Sequence, residues 1–399
     1  MSASVEKLYE KDPYLAKFTA KVTSINGDSI ELDRTAFYPG GGGQEADVGE
    51  IGGFAVTEVR YKDGSIIHRV PGQRFIVGQE VECKIAWDRR MDLMRAHTGE
   101  HLLFSSLQRI VPDMELVKIA ITPSKKSLIV KGQFNWTNVL DAEKMVNEVI
   151  WQKMTTEDLH VTKDDPLIAQ ARIKLERIPG DKVRLVKIGD FDLAACAGIH
   201  VRNTWEIEML LVEKLTSAKP VGDFEIEFSV GRKALYRSLY LSTLAIETSD
   251  KMGAHPEDLL SALDNQVKEM ERGRSSLRHY AKQSIAQMTG EERNGVTIYS
   301  GVFPGVDRKT LSDEATKKVQ EGKRVCILAE DVERLTLIVA SSKDSGIDAA
   351  AVLQKALAEL GGKGGGNKSF ATGGAPESGL GKKAVDVALN EIDNQLSRG

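Results

Sequence analysis

Two hydrophobic rhythms run along this chain, and each change of rhythm marks a new element. Residues 15–87 keep a period of two. The runs AKFTAKVTSING, DSIELDRTAFY, FAVTEVRYKDG, SIIHRV and EVECKIAW alternate apolar with polar side chains, punctuated by Gly, Asn-Gly and Asp-Gly. Such runs predict short strands joined by tight turns, and so many short strands close most naturally into a small β-barrel. From Asp88, the expected N-cap, the period lengthens. Met91, Met94, Leu102, Leu103 and Leu107 carry the spacing of a helix over 91–109. Up to residue 230 a second helix, 139–156, mixes with the strands LVKIAITP, SLIVKGQF, VRLVKIG, EIEMLLVEKLT and DFEIEFSVG, an α+β pattern.

Residues 232–290 read as almost wholly helical, with Pro256 opening the second part at a favoured first-turn position. Leu260, Leu263, Val267, Met270 and Leu277 follow a three-four spacing that Arg274 interrupts, which suits a helical hairpin or a homodimer seam. Beyond Val296 the strands VTIYSGVF, RVCILAE and LTLIVAS alternate with helices near 309–321, 347–360 and 380–396. The expected architecture is α+β in four parts: a glycine-motif β-barrel over 1–88, an α+β domain over 89–231, a helical hairpin or linker over 232–292, and a small α/β domain over 293–399.

Composition narrows the class without naming a function. Of 399 residues, 41% are hydrophobic and 28% charged, as in ordinary globular proteins. No apolar run reaches membrane-span length, and MSASVEKLYEKDPYL lacks a signal-peptide core. Three cysteines cannot build a disulfide framework; Cys83 and Cys326 sit in strand-like runs as inert core residues. A reducing, cytoplasmic setting is expected. The net charge of −4 announces no nucleic-acid partner, yet a local basic surface suffices for one. Lys125 with Lys126, Lys317 and Lys318 with Lys323 and Arg324, and Lys363 with Lys368 are local candidates. Each taken singly reads first as a solvated face.

The chemistry lies in two pairs. His97 and His101 stand four apart in RAHTGEHLLFSSLQ, which on a helix puts both imidazoles on one face. Alone, such a pair also describes two exposed or core histidines. Cys196 and His200 stand four apart in DLAACAGIHVRNT, and the chain has only seven His and three Cys. Together the pairs supply four ligands for one metal ion, and imidazole with thiolate selects zinc over magnesium or calcium. Four protein ligands close a tetrahedral shell, whereas catalytic zinc keeps an open position. The sequence leaves three routes: a displaced ligand, an expanded coordination, or a metal that orients substrate.

Two glycine-rich segments remain. In FYPGGGGQEADVG, residues 37–49, bare backbone N–H groups can approach a ligand closely, but no dinucleotide fingerprint is present. A flexible barrel loop is the plainer alternative. In GGKGGGNKSFATGGAPESG, residues 361–379, glycines interleaved with Lys363 and Lys368 suit a phosphate or sugar backbone; a disordered linker is the other reading.

Taken together, Gly41-Gly42-Gly43-Gln44, His97/His101, and Cys196/His200 followed by Val201, Asn203 and Thr204 resemble the AlaX-type alanyl-tRNA editing proteins. The stretch Gly364-Gly365-Gly366-Asn367-Lys368 through Gly373-Gly374 looks like the DHH-associated C-terminal domain of alanyl-tRNA synthetase, which implies a long-form member. This chain departs from the family pattern at Gly198-Ile199, Glu100 and Glu45, all outside the ligand set.

The resemblance implies a zinc-containing hydrolase that removes serine or glycine from tRNA(Ala). It implies zinc on His97, His101, Cys196 and His200, and tRNA or substrate contacts by Gly41, Gly42, Gly43, Gln44, Lys363 and Lys368. Such editing answers a physical need, because a small apolar pocket discriminates poorly against an added hydroxyl or a missing methyl. Glu100 is the candidate proton acceptor, with a solvated helix residue as its default reading. No synthetase catalytic core precedes residue 1 and no nucleotide-binding signature appears, so neither aminoacylation nor ATP use is expected. Two rivals stand. His97-Thr98-Gly99-Glu100-His101 also matches the inverted peptidase signature H-x-x-E-H, and a non-catalytic tRNA-binding protein would use the zinc structurally.

Overall fold

The computed structural model describes residues 5–178 and 180–397, so the outermost ends of the first and last expected parts lie outside the described residues. The chain divides into two compact units, Met1–Leu244 and Ala245–Gly399.

The first unit opens with β1 (Glu6–Lys7) and a short helix α1 (Leu8–Lys11). It continues through β2 (Lys17–Asn26), β3 (Ser29–Leu32), β4 (Arg34–Thr35), β5 (Gly49–Ile51), β6 (Phe54–Val56), β7 (Glu58–Lys62), β8 (Ser65–Arg69) and β9 (Glu80–Ile85). Seven of these form one sheet in the order β6-β5-β9-β2-β3-β8-β7. Its edge strands, β6 and β7, are separated in the chain by Thr57 alone, so the sheet curls nearly closed. The expected single strand FAVTEVRYKDG is thus two strands: the Thr57 N–H turns aside to the carbonyl of Arg69. Alternation does the packing; β9 buries every second residue, Val81, Cys83 and Ile85.

Next come α2 (Trp87–Ile110), β10 (Glu115–Ile121), β11 (Lys126–Lys131), α3 (Trp136–Trp151), β12 (Thr156–Thr162), β13 (Lys182–Ile188), β14 (Asp192–Ala195), β15 (Leu210–Ser217) and β16 (Asp223–Val230). They add an antiparallel sheet, β10-β11-β16-β15, and a three-stranded one, β12-β13-β14. Asp88 does not cap α2; Ala86 holds the N-cap position, and the helix begins at Trp87. Helix α3 starts three residues earlier than its apolar spacing suggests, because Asn135 and Asn138 form a reciprocal capping box. It also ends earlier, at Trp151, with Lys153 at φ 57° turning the chain toward β12.

Helix α2 is the axis of this unit. Every residue from Ala96 to Leu107 is buried, because sheets and α3 cover it on all sides. Gly99 allows the closest approach: a Cβ there would lie 3.1 Å from Leu210 and 3.3 Å from Val230. One continuous core joins the curled sheet, α2, α3 and the β10-β11-β16-β15 sheet. Arg90 and Asp47, both buried, pair to tie α2 to the segment after the first glycine loop.

Helix α4 (Gly231–Met252) carries the chain past the division. The second unit holds α5 (Leu259–Gln287), β17 (Glu291–Arg293), β18 (Val296–Val302), α6 (Arg308–Lys318), β19 (Arg324–Glu330), β20 (Leu335–Ser341), α7 (Ala349–Ala358), β21 (Lys363–Gly366), β22 (Phe370–Ala375) and α8 (Gly381–Leu396). Its sheet runs β17-β18-β19-β20-β22-β21. Period two splits each strand between layers: Val325, Ile327 and Ala329 face the core of α7 and α8, while Cys326 and Leu328 join Leu311 and Ala315 of α6. Only β18 and β19 pair in parallel, and the other neighbours are antiparallel. This unit is therefore an α+β layer structure rather than the expected α/β one. The segment 361–379 is not a loose linker: β21 and β22 form a hairpin in which Gly364 and Gly373 face each other, and a Cβ on Gly364 would lie 2.7 Å from the Gly373 Cα. Leu260, Leu263, Val267, Met270 and Leu277 are all exposed on α5. Among the described residues, no helix is long and apolar enough to cross a membrane.

Candidate metal centre

Adjacent turns of α2 present His97 and His101. Strand β14 ends one residue before Cys196, and the chain turns through Gly198 to deliver His200. Their four donor atoms all lie within 4.8 Å of one another. Cys196 Sγ is 3.4 Å from His97 Nε2 and 3.4 Å from His200 Nε2.

The second partner of each imidazole decides which nitrogen is free. Gln44 Oε1 accepts the Ile199 N–H at 3.1 Å, which fixes it as an oxygen, and it lies 2.7 Å from His97 Nδ1. His97 therefore donates from Nδ1 and keeps its Nε2 lone pair. Asp192 Oδ2 accepts from His101 Nδ1 at 2.7 Å, with the Ser105 hydroxyl and Arg172 on the same carboxylate. The Thr98 hydroxyl donates to Met94 O, so its oxygen accepts from His200 Nδ1 at 3.2 Å and from the Val201 N–H. All three rings are thus held through Nδ1 and leave Nε2 to the cluster around one sulfur, the arrangement in which outer hydrogen bonds orient metal ligands.

The electrostatics divide the rings. Burial opposes ionisation of the Cys196 thiol, but His97, His200 and His101 hold it well below its ordinary value. Burial pulls His200 down to about 3 despite the thiolate, so that ring stays neutral. Burial also works against a charged His101, yet Asp192 and Cys196 raise it to about 10. The Asp192 carboxyl, though buried, is held far below the usual range by His101, Arg172 and Ser105. By contrast, burial pushes Cys83 and Cys326 up to about 12, as suits inert core thiols. A soft thiolate with three imidazole nitrogens fits a tetrahedral zinc or a similar borderline cation.

The loop geometry is built from glycine. Gly40 to Gly43 all have φ between 58° and 145°, a region that disfavours side chains. Their turn is pinned to β10 by Ile121 N–H to Gly43 O and Glu45 N–H to Ile121 O. Gly41, Gly42 and Gly43 are exposed, while Gln44 is buried against His97. Gln44, expected to contact tRNA or substrate, is buried with its side chain against His97. Gly198 is a close approach: a Cβ there would lie 2.1 Å from His97 Cε1. Arg184 clamps the same turn, donating to the carbonyls of Cys196 and Gly198 while paired with Asp158. Asn203 caps the short helix after it, and Thr204 donates to the Val149 carbonyl at the end of α3.

Glu100 corrects its default reading. It is fully buried, and neither carboxylate oxygen has a hydrogen-bond partner. A helix covered on every side has no solvated face to offer it. Lys363 and Lys368 lie in the second unit, exposed on β21 and in the turn before β22. Asp192 and Ser105 escaped the sequence reading, and Thr98 and Gly198 entered it only inside motifs, not for what they touch. Two of them share a signal with the ligands: Asp192 is four residues before Cys196, and Ser105 four after His101.

Comparison with known proteins bears on the whole chain. A family model for class II (A) tRNA synthetases matches residues 2–89, one for the second additional domain of threonyl and alanyl tRNA synthetases matches 183–222, and one for the DHHA1 domain matches 294–398. Alanine–tRNA ligases of Ignicoccus hospitalis and Archaeoglobus fulgidus are each 29% identical, over 92% and 93% of this chain. The chain spans only 41% and 42% of their length. The alanyl-tRNA editing protein AlaX-L of Pyrococcus horikoshii is 27% identical over 98% of this chain and 99% of its own. Along nearly its whole length the chain is thus similar to an alanyl-tRNA editing protein of the AlaX type. Among solved structures, the C-Ala domain of Aquifex aeolicus alanyl-tRNA synthetase matches 28% of this chain at 24% identity, with a TM-score of 0.25.

Proposed function

We propose that this chain is a zinc-dependent hydrolase of the AlaX type that cleaves the ester joining serine or glycine to tRNA(Ala). The observation that carries the reading is the gathering of three Nε2 atoms around the Cys196 sulfur, with each ring held at Nδ1 by its own outer partner. His97, His101, Cys196 and His200 would hold the ion. Zinc so held would supply positive charge to the ester or to a water. Gln44, Asp192 and Thr98 keep the rings in one tautomer and one orientation. The exposed residues Gly41, Gly42 and Gly43 precede the Gln44 that meets His97, and there an aminoacyl group would arrive. Glu100 is fully buried with neither carboxylate oxygen hydrogen-bonded, and a role as general base is the alternative that Glu100→Gln tests. A site that hydrogen-bonds the serine hydroxyl rejects alanine by about 10⁴–10⁵, because its polar groups would be left unpaired.

The division of labour places chemistry in 89–231 beside the curled sheet of 1–88. Residues 293–399, with Lys363 and Lys368, add tRNA affinity, and the exposed α5 seam suits a homodimer. The reaction needs no ATP and no membrane, and belongs in the cytoplasm where tRNA is charged. A peptidase of the inverted H-x-x-E-H type is disfavoured: it has no use for Cys196 and His200, which share the cluster. A purely structural zinc in a tRNA-binding protein is the second reading, favoured by the closed four-donor set. Incubation with Ser-, Gly- and Ala-charged tRNA(Ala), following amino-acid release, separates them. The proposal requires fast release of serine or glycine and slow release of alanine; no release above the spontaneous rate would leave only binding.

A further inference from the structure

The turn that carries His200 continues directly into an exposed aromatic surface. Trp205, five residues on, is 41% exposed, and Trp151 at the end of α3 is 67% exposed. Their ring centroids lie 4.9 Å apart, edge to face. Lys153 Nζ stands 4.9 Å from the Trp205 centroid. The hydrogen bond from Thr204 to Val149 locks the His200 turn onto the end of α3, so the pair is braced rather than mobile. Beside Trp151 lies an open depression of about 550 Å³, lined by Lys144, Asn147, Glu148, Trp151 and Gln152.

Two tryptophans seldom stay on a surface in mutual contact without something to cover them. Trp205 has one ring occupied by Lys153 and Trp151; the more exposed Trp151 keeps its own surface open. A cation beside an open aromatic face is the recognition chemistry of single-stranded nucleic acid, where a base stacks and a phosphate meets the charge. Five residues of chain span at most ~18 Å, so the platform stands within a few unpaired nucleotides of His200. We propose that Trp151, braced by Trp205 and flanked by Lys153, stacks an unpaired base near the 3′ end of tRNA and so positions the terminal ester at the metal centre. This rests on the reading of the site as a tRNA-ester hydrolase.

The test uses the full chain with its metal. Trp151→Ala should raise KM for Ser-tRNA(Ala) about 10-fold while kcat changes less than about 2-fold, and Trp151→Phe should restore most of the loss. Uncharged tRNA should quench the wild-type tryptophan fluorescence; tRNA trimmed of its unpaired 3′ nucleotides should not, and Trp151→Ala should lose the response. Unchanged KM and unchanged quenching in Trp151→Ala would overturn the platform, leaving the hydrolase reading intact and assigning the tryptophans to a protein partner. If the wild type released no serine yet showed the 3′-dependent quenching, the hydrolase reading would fall and the platform would stand.

Discussion

His101 Nδ1 lies 2.7 Å from Oδ2 of Asp192, and this bond leaves the other ring nitrogen to the Cys196 sulfur. Asp192→Asn keeps the shape but offers an amide that can present its N–H to the ring, releasing the tautomer. We expect zinc affinity to fall about 10–100-fold, the usual effect of losing an outer partner of a ligating histidine. Competition with a chromophoric chelator measures it; unchanged affinity would mean Asp192 plays no part in holding the ring.

Gly198→Ala should be more damaging than its size suggests. The new methyl would lie 2.1 Å from His97 Cε1 and 2.3 Å from Nδ1, so the ring must leave Gln44. Overpacking of this kind costs about 1–3 kcal/mol, and urea unfolding should show it together with a loss of zinc affinity. Normal stability with normal zinc binding would show that the turn can shift cheaply.

A stability effect with pH is expected from His68, which is fully buried with its Nε2 2.9 Å from the Thr35 hydroxyl. Burial lowers it to about 4 from 6.5, against a small opposing effect of the Ile30 backbone. Because the folded value is the lower one, the unfolded chain takes up the proton first as pH falls. The contribution is whole above about pH 6.5 and is lost as pH falls toward 4, about 3 kcal/mol in all. His68→Gln removes the titrating group, so its urea midpoint should drop less between pH 7 and pH 4.5 than that of the wild type. Equal drops would contradict the assignment.

The parts of the site legible in the sequence are those with a period. His97 and His101 show themselves through helical spacing, and Cys196 and His200 repeat the interval. Asp192 and Thr98 carry no period, since one acid in a strand and one threonine in a helix look like many others. Glu100 misleads for a related reason. A charged residue on a helix reads as solvated only where the helix has a wet face, and from Ala96 to Leu107 this one has none. In the second unit, glycine hides strand β21: residues without side chains show no alternation, and only the pairing of Gly364 with Gly373 reveals the hairpin. RVCILAE was legible as a strand from its continuous apolar run, but the split of Val325 to Ala329 between two layers shows only in the fold.

Glu100→Gln separates burial from catalysis. Both oxygens lack a partner in the folded chain, so the isosteric amide breaks no hydrogen bond and thermal stability should change little. Zinc should remain bound, and release of serine from tRNA(Ala) should stay within about 10-fold of wild type. A loss of about 10²–10⁴-fold with zinc still bound would make Glu100 the general base.

The central claim is that His97, His101, Cys196 and His200 hold one catalytic zinc. Its most direct test is elemental analysis of the purified full chain and of Cys196→Ala, paired with serine release from Ser-tRNA(Ala) before and after chelation. The account predicts about one zinc per chain, lower occupancy in Cys196→Ala, and release that falls with the metal and returns when zinc is restored. A metal-free wild-type protein that releases serine at full rate would contradict it.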